Sequence, residues 1–98
     1  HQLTMARVLS VTAEYYRLAV SDLVGPRRTS RLNQARQVAM YLAREVTLAS
    51  LPQIGDAFGG RTHSTVLHSC NKVALEIASD DMLREDVAAI QAKLLGQD

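Results

Sequence analysis

Residues 50–72, Ser50 to Lys72, read SLPQIGDAFGGRTHSTVLHSCNK: two apolar stripes with a glycine pair between them. Leu51, Ile54, Ala57 and Phe58 recur at helical spacing. Ser50 suits the N-cap of that helix, and Pro52 falls in its first turn, where a missing N–H is no loss. Gly59-Gly60 stops the helix, since glycine takes the left-handed conformation a helix end needs. Thr62 is placed to cap a second helix, with Val66, Leu67, Cys70, Val73, Ala74 and Ile77 on one side. Two helices joined by a tight glycine-containing turn make a helix-turn-helix, here over residues 51–78. The opening turn of the second helix is Arg61-Thr62-His63-Ser64-Thr65, polar throughout and able to hydrogen-bond at every position. In a helix-turn-helix these are the side chains that reach base edges in the major groove.

The chain's 98 residues fit one domain, near the lower end of what sustains its own core. Apolar residues make up 47% and only two residues are proline, which suits a helical bundle. With no tryptophan, one phenylalanine and three tyrosines, the core has to be aliphatic. No apolar run approaches the ~18–20 residues of a membrane span, and no signal-peptide pattern is present. The one cysteine, Cys70, lies on the apolar side of the second motif helix and reads as a small buried hydrophobe rather than a nucleophile. A reducing compartment, the cytoplasm, is the expectation. The chain opens on His1 rather than methionine, so a segment of something longer is expected.

The net charge of +1 hides an asymmetry. Residues 1–72 hold nine Lys/Arg against four Asp/Glu, whereas residues 73–98 hold two against six. A polyanion is drawn to the first part and repelled by the last. Arg27, Arg28, Arg31, Arg36 and Arg44 share one stretch, with no acid between Asp22 and Glu45. An exposed helix stabilised by charge interleaves carboxylates for i, i+4 pairs. Arginines without counter-ions repel one another until an anion arrives, so phosphate contact is expected there.

Elsewhere, Thr4 or Gln2 opens a helix to about Arg17, with Met5, Val8, Leu9, Thr12 and Tyr15/Tyr16 on one side. Arg7 and Arg17 would also suit an amphipathic helix lying on a membrane or a neighbouring domain; a bundle face with a solvated rim is the preferred reading. Ser21-Asp22-Leu23 marks a single short turn that Gly25-Pro26 ends. The longest helix spans about Leu32–Thr47 and buries Ala35, Val38, Ala39, Leu42, Ala43 and Val46. Asp80 or Asp81 caps a last helix, Met82 to about Leu95, with Leu83, Val87, Ile90 and Leu94 inward and acids outward. Period-two alternation is absent. The sum is an all-α bundle of six helices containing a helix-turn-helix.

The residue types needed for catalysis are not assembled. His63 and His68 are five apart, off the shared face that helical zinc ligands need, and no Cys or carboxylate cluster completes a tetrahedral site. Gly59-Gly60-Arg61-Thr62 is too short for a phosphate loop. A serine beside its histidine on one helix, as in His63-Ser64, has the wrong geometry for a triad. No metal, no cofactor and no enzymatic activity are expected in these residues.

SLPQIGDAFG followed by GGRTHSTVLHSCNK resembles the C-terminal DNA-binding domain of the bacterial replication initiator family DnaA, whose signature reads close to GGRDHTTVLHA. AEYY followed by VSDL, and ARQVAMYLAREVT upstream of SLPQIG, extend the likeness over about residues 5–78. The resemblance implies a Trp-repressor-like helix-turn-helix that binds short asymmetric repeats of replication origins as double-stranded DNA. It implies that Thr62, His63, Ser64 and Thr65 face bases in the major groove. Leu51 and Pro52 would touch thymine methyls or neighbouring backbone, and Arg28 would enter the adjacent minor groove. Arg36, Gln37, Arg44, Arg61 and His68 would lie along phosphates or support residues that do; Arg27, Thr29, Arg31 and Lys72 complete the expected phosphate contacts. ATP would bind only in an upstream module of the parent protein, whose other copies, together with replication regulators, would be the partners.

The sequence departs from the family pattern at informative positions. Thr62 stands where the signature has an acid. A carboxylate accepts from a cytosine amino group, whereas threonine is permissive or offers a methyl to thymine, so discrimination at that base should weaken by on the order of 1–3 kcal/mol. Ser64 lacks the methyl of the usual threonine, and Gln34-Ala35 replaces a common Arg-Pro. Two other readings fit the residues alone. One is a stand-alone Trp-repressor-like transcription factor, which needs a dimer interface. The other is a helical interaction module holding an acidic partner on the arginine face.

Overall fold

The computed structural model describes residues 3–96. It contains six helices: α1 (Met5–Tyr16), α2 (Val20–Val24), α3 (Ser30–Val46), α4 (Leu51–Ala57), α5 (His63–Glu76) and α6 (Asp81–Leu94), with no strand among the described residues. Most starts follow from local chemistry. The Oγ1 of Thr4, Thr29 and Thr62, Oγ of Ser50 and Oδ1 of Asp80 each accept from the backbone N–H three residues on, at 3.0–3.2 Å. Gln53 returns the favour to the Ser50 N–H at 2.8 Å, completing a capping box on α4. Gln2, the other candidate for opening α1, lies outside the described residues.

Two boundaries differ from expectation. α3 begins at Ser30, two residues early, because the Thr29 hydroxyl supplies a cap that makes the basic segment helical. α2 begins at Val20 rather than around Ser21, since Asp22 sits inside it and reaches back to the Ala19 N–H at 2.9 Å.

The core is aliphatic, with Phe58 its one large aromatic. α3 runs through the middle and packs against all five other helices. Its inward residues are Leu32, Ala35, Arg36, Val38, Ala39, Met40, Leu42 and Ala43, with Val46 half-buried. The alanines at 35, 39 and 43 stand one turn apart and leave room for neighbouring helices to approach. α5 is narrower in contact than its sequence stripe: Val66, Ser69, Cys70 and Val73 are buried, whereas Leu67 and Ala74 are exposed. Adjacent residues sit about 100° apart on a helix, and the packing against α3 and α4 covers only one of each pair. The Cys70 thiol is buried, faces the Met40 carbonyl oxygen at 3.5 Å, and has its pKa pushed up by desolvation.

α1 turns Val8, Leu9, Val11, Thr12 and Ala13 into the bundle, so its apolar face serves the core. No helix among the described residues is long and apolar enough to cross a membrane. α6 closes over α1 with Asp86 between two tyrosines: Tyr15 donates to it at 2.6 Å and Tyr16 at 3.1 Å. The hydrogen bond to Asp86 is the main cause that pushes the Tyr15 phenol up to about 12; burial comes first for Tyr16, also pushed up to about 12.

Candidate nucleic-acid interface

The turn between α4 and α5 depends on a glycine inside α4. The Gly55 carbonyl accepts the N–H groups of Phe58 and Gly60 at 3.1 Å and of Arg61 at 3.0 Å. A Cβ on Gly55 would lie 2.0 Å from the Arg61 carbonyl oxygen, so no other residue lets the turn fold this closely over the helix. Gly59 and Gly60 take φ of 78° and 83°, as a helix stop requires. A Cβ on Gly59 would meet the Val24 carbonyl oxygen at 2.2 Å, so the turn also rests on the end of α2. Gly55 was absent from the residues singled out in the sequence; a glycine interrupting an apolar helical period is the signal that points to it.

The turn presents the start of α5 to solvent. His63, Ser64 and Thr65 are all exposed on its first turn, and Thr62 just ahead of it is exposed too. Thr62 is the helix cap: its hydroxyl accepts the Thr65 N–H at 3.2 Å and lies 3.1 Å from the Thr65 hydroxyl. His68 follows on the same exposed side. The unpaired N–H groups and dipole of a helix start favour an anion in front of it. At the start of α4, Pro52 is exposed and Leu51 half-buried.

The arginines divide. Arg27, Arg28 and Arg44 are exposed and take part in none of the ion pairs among the described residues. Arg36 faces inward rather than lying free for phosphate, which leaves, of the two roles the resemblance implies, the supporting one. It is 5% exposed, and its guanidinium donates to the carbonyls of Leu23 and Asp22 at 2.8 Å, Arg27 at 3.1 Å and Gly25 at 3.2 Å, and to the Asn33 side chain at 3.2 Å. The reason is that the last carbonyls of α2 have no helical partners, and a guanidinium carries five donors in a fork. Arg61, also expected on phosphate, is half-buried and donates to Gly25 at 2.7 Å, Val24 at 3.4 Å and Phe58. For these two the direct phosphate contact is corrected: both guanidinium groups are bound to the chain's own backbone. Burial lowers the pKa of each, and the neighbouring guanidinium groups add to it, Arg61 and Arg28 for Arg36, Arg28 for Arg61. Arg31 turns aside to the Tyr16 carbonyl, Thr29 caps α3, and Lys72 reaches Gln37 at 3.4 Å and Glu76 at 4.0 Å.

A groove of about 220 Å³ draws six expected site residues from three parts of the chain onto one surface: Arg28, Arg36, Gln37, Arg61, Thr65 and His68. Arg28 stands at its border with a second hollow of about 310 Å³, lined by Pro26, Gly59 and Arg61 among others. Lys72 borders a separate cleft between α3, α5 and α6, and Arg31 and Arg44 line neither hollow of this surface. Asn33, unremarked in the sequence, lines the groove and accepts from Arg36. Among the described residues no three His, Cys, Asp or Glu side chains are grouped to hold a metal ion.

Residues 5–73 match the family model described as the bacterial dnaA protein helix-turn-helix. The chain belongs to that family. It is similar to chromosomal replication initiator protein DnaA of Limosilactobacillus reuteri (strain DSM 20016), 38% identical over 94 residues, covering 96% of this chain and 21% of that protein. The DnaA of Latilactobacillus sakei subsp. sakei is 44% identical over 86 residues, 88% of this chain and 19% of the relative. That of Symbiobacterium thermophilum is 42% identical over 93 residues, 95% and 20% respectively. The chain thus spans about a fifth of the length of the DnaA proteins it matches. Among solved structures, a crystal structure of a DNA replication initiation factor superposes with a TM-score of 0.82 at 30% identity, over 95% of this chain and 28% of that one. The all-α, six-helix architecture expected from the DnaA resemblance agrees with that likeness.

Proposed function

We propose that this chain is the part of a replication initiator that binds double-stranded DNA at origin repeats. α5 enters the major groove with His63, Ser64 and Thr65 toward base edges, Thr62 at its cap, and Leu51 and Pro52 of α4 beside them. Arg28 enters the adjacent minor groove. Arg27, Thr29, Gln37, Arg44 and His68 follow phosphates, with Arg31 and Lys72 at the margins. The observation that carries this reading is the groove that joins Arg28 and Gln37 to Thr65 and His68 at the start of α5. Phosphate contacts then position the domain and the α5 side chains specify the sequence. The domain has no catalytic role of its own; ATP binding, assembly of further copies and contact with regulators belong to the parent protein, in the cytoplasm.

Selection of bound duplexes from a random pool tests this directly. A short asymmetric consensus is expected, with affinity falling about 0.9 log units per log unit of salt for each phosphate contacted. Repeating the selection with Thr62→Asp should shift the consensus at one base. Enrichment of no sequence, or failure of duplex DNA to compete for the arginine face, would overturn the reading.

A further inference from the structure

Two guanidinium groups collect the carbonyl oxygens of five residues within one short run. Arg36 takes those of Asp22, Leu23, Gly25 and Arg27, and Arg61 takes those of Val24 and Gly25. The two come from different places: Arg36 from the middle of α3, Arg61 from the turn before α5. The carbonyl of Gly25 receives one bond from each, at 3.2 and 2.7 Å, so a single oxygen ties the loop to the scaffold and to the helix-turn-helix together. Gly59 also lies close to the Val24 carbonyl, with no room for a Cβ between them. Arg28 is the residue immediately after the last braced carbonyl. α2 ends at Val24 and α3 begins at Ser30, so no helix ladder holds the intervening loop. An unbraced loop would leave Arg28 to be ordered on binding, and that ordering is paid out of affinity.

We propose that Arg36 and Arg61 are positioning residues that fix the offset between Arg28 and the first turn of α5, so that one rigid surface meets two grooves of the duplex at once. This rests on the DNA-binding reading above. With Arg28 close by, the two brace residues complete a group of three guanidinium groups, and neither Arg36 nor Arg61 has a carboxylate hydrogen-bond partner among the described residues. Three positive charges side by side suit a surface that meets a polyanion.

The test uses the duplex selected by the unaltered chain, with each A·T pair in turn replaced by 2,6-diaminopurine·T. That change adds an amino group in the minor groove and leaves the major-groove edge as it was. The unaltered chain should lose about tenfold in affinity at the pair that Arg28 reads. Arg36→Lys keeps the charge but lacks the fork that spans several carbonyls. It should bind roughly tenfold more weakly and change less than about twofold on the modified duplex, while still rejecting major-groove base changes. Its thermal unfolding midpoint shows that the variant is folded; should it fail to fold, Arg61→Lys carries the same measurement. Full sensitivity to diaminopurine in the lysine variant overturns the inference, and so does an equal loss of minor-groove and major-groove discrimination. An unaltered chain that selects a consensus yet ignores diaminopurine everywhere overturns the minor-groove contact itself, and the inference with it. No consensus at all is the separate failure of the proposed function.

Discussion

Arg28 and Arg36 belong to the same acid-free run, eight positions apart, yet one faces solvent and the other is enclosed. Arg28 precedes α3, in a loop whose side chains have nowhere to pack. Arg36 falls in the series 32, 35, 36, 39, 40, 43, which is the inward stripe of α3. Arg61 repeats the inward arrangement from the other side of the loop. The difference teaches that charge alone does not give a side chain its direction. A guanidinium at an inward position is retained when backbone carbonyls are waiting for donors, and α2 ends by supplying them.

The severest test moves the turn that carries Arg61. Gly55→Ala would press a methyl group on the Arg61 carbonyl, and stability should fall by on the order of 3 kcal/mol or more in urea denaturation. An alanine that stabilised this helix instead would show that the turn yields. The comparison itself is sharpened by a matched pair. Arg36→Met strands several buried carbonyls and should destabilise by roughly 2–3 kcal/mol. Arg28→Ala should stay within about 0.5 kcal/mol in stability while lowering both DNA affinity and its salt dependence. Equal urea midpoints for the two would erase the division between inward and outward arginines. His63→Ala and Thr65→Ala should leave the fold intact and flatten preference among duplexes by roughly 1–2 kcal/mol, read as the affinity ratio between the selected site and a scrambled one. The smallest effect is at the cap: Thr62→Ala should cost about 1 kcal/mol, whereas Thr62→Asp keeps an acceptor at the helix start and holds stability near that of threonine.

Much of this was legible in the sequence because local rules and packing agree. The caps at Ser50, Thr62 and Asp80, the glycine stop at 59–60 and the apolar stripe of α6 each follow from residue chemistry within a turn. The exposed first turn of α5 was legible for the same reason. What escaped depends on partners distant in the chain. The backbone acceptors of Arg36 lie nine to fourteen residues away and those of Arg61 at Val24 and Gly25 lie 37 and 36 residues away, and no periodicity encodes them. Leu67 and Ala74 were misread because two adjoining stripe positions look equally apolar, while only the contact geometry decides which is covered. The DnaA likeness leaves Arg36 either along phosphates or in support of residues that are, for a related reason: a matching residue type at a matching position says nothing about where its donors are spent.

Cys70 has a practical consequence. Its sulfur is the one thiol in the chain, sealed where α5 meets α3 with burial holding it protonated. Alkylating reagents can reach it only when those two helices part, so labelling speed clocks the opening of the scaffold beneath the reading head. The protein carries its own stopwatch, and no dye has to be engineered into the surface proposed to meet DNA.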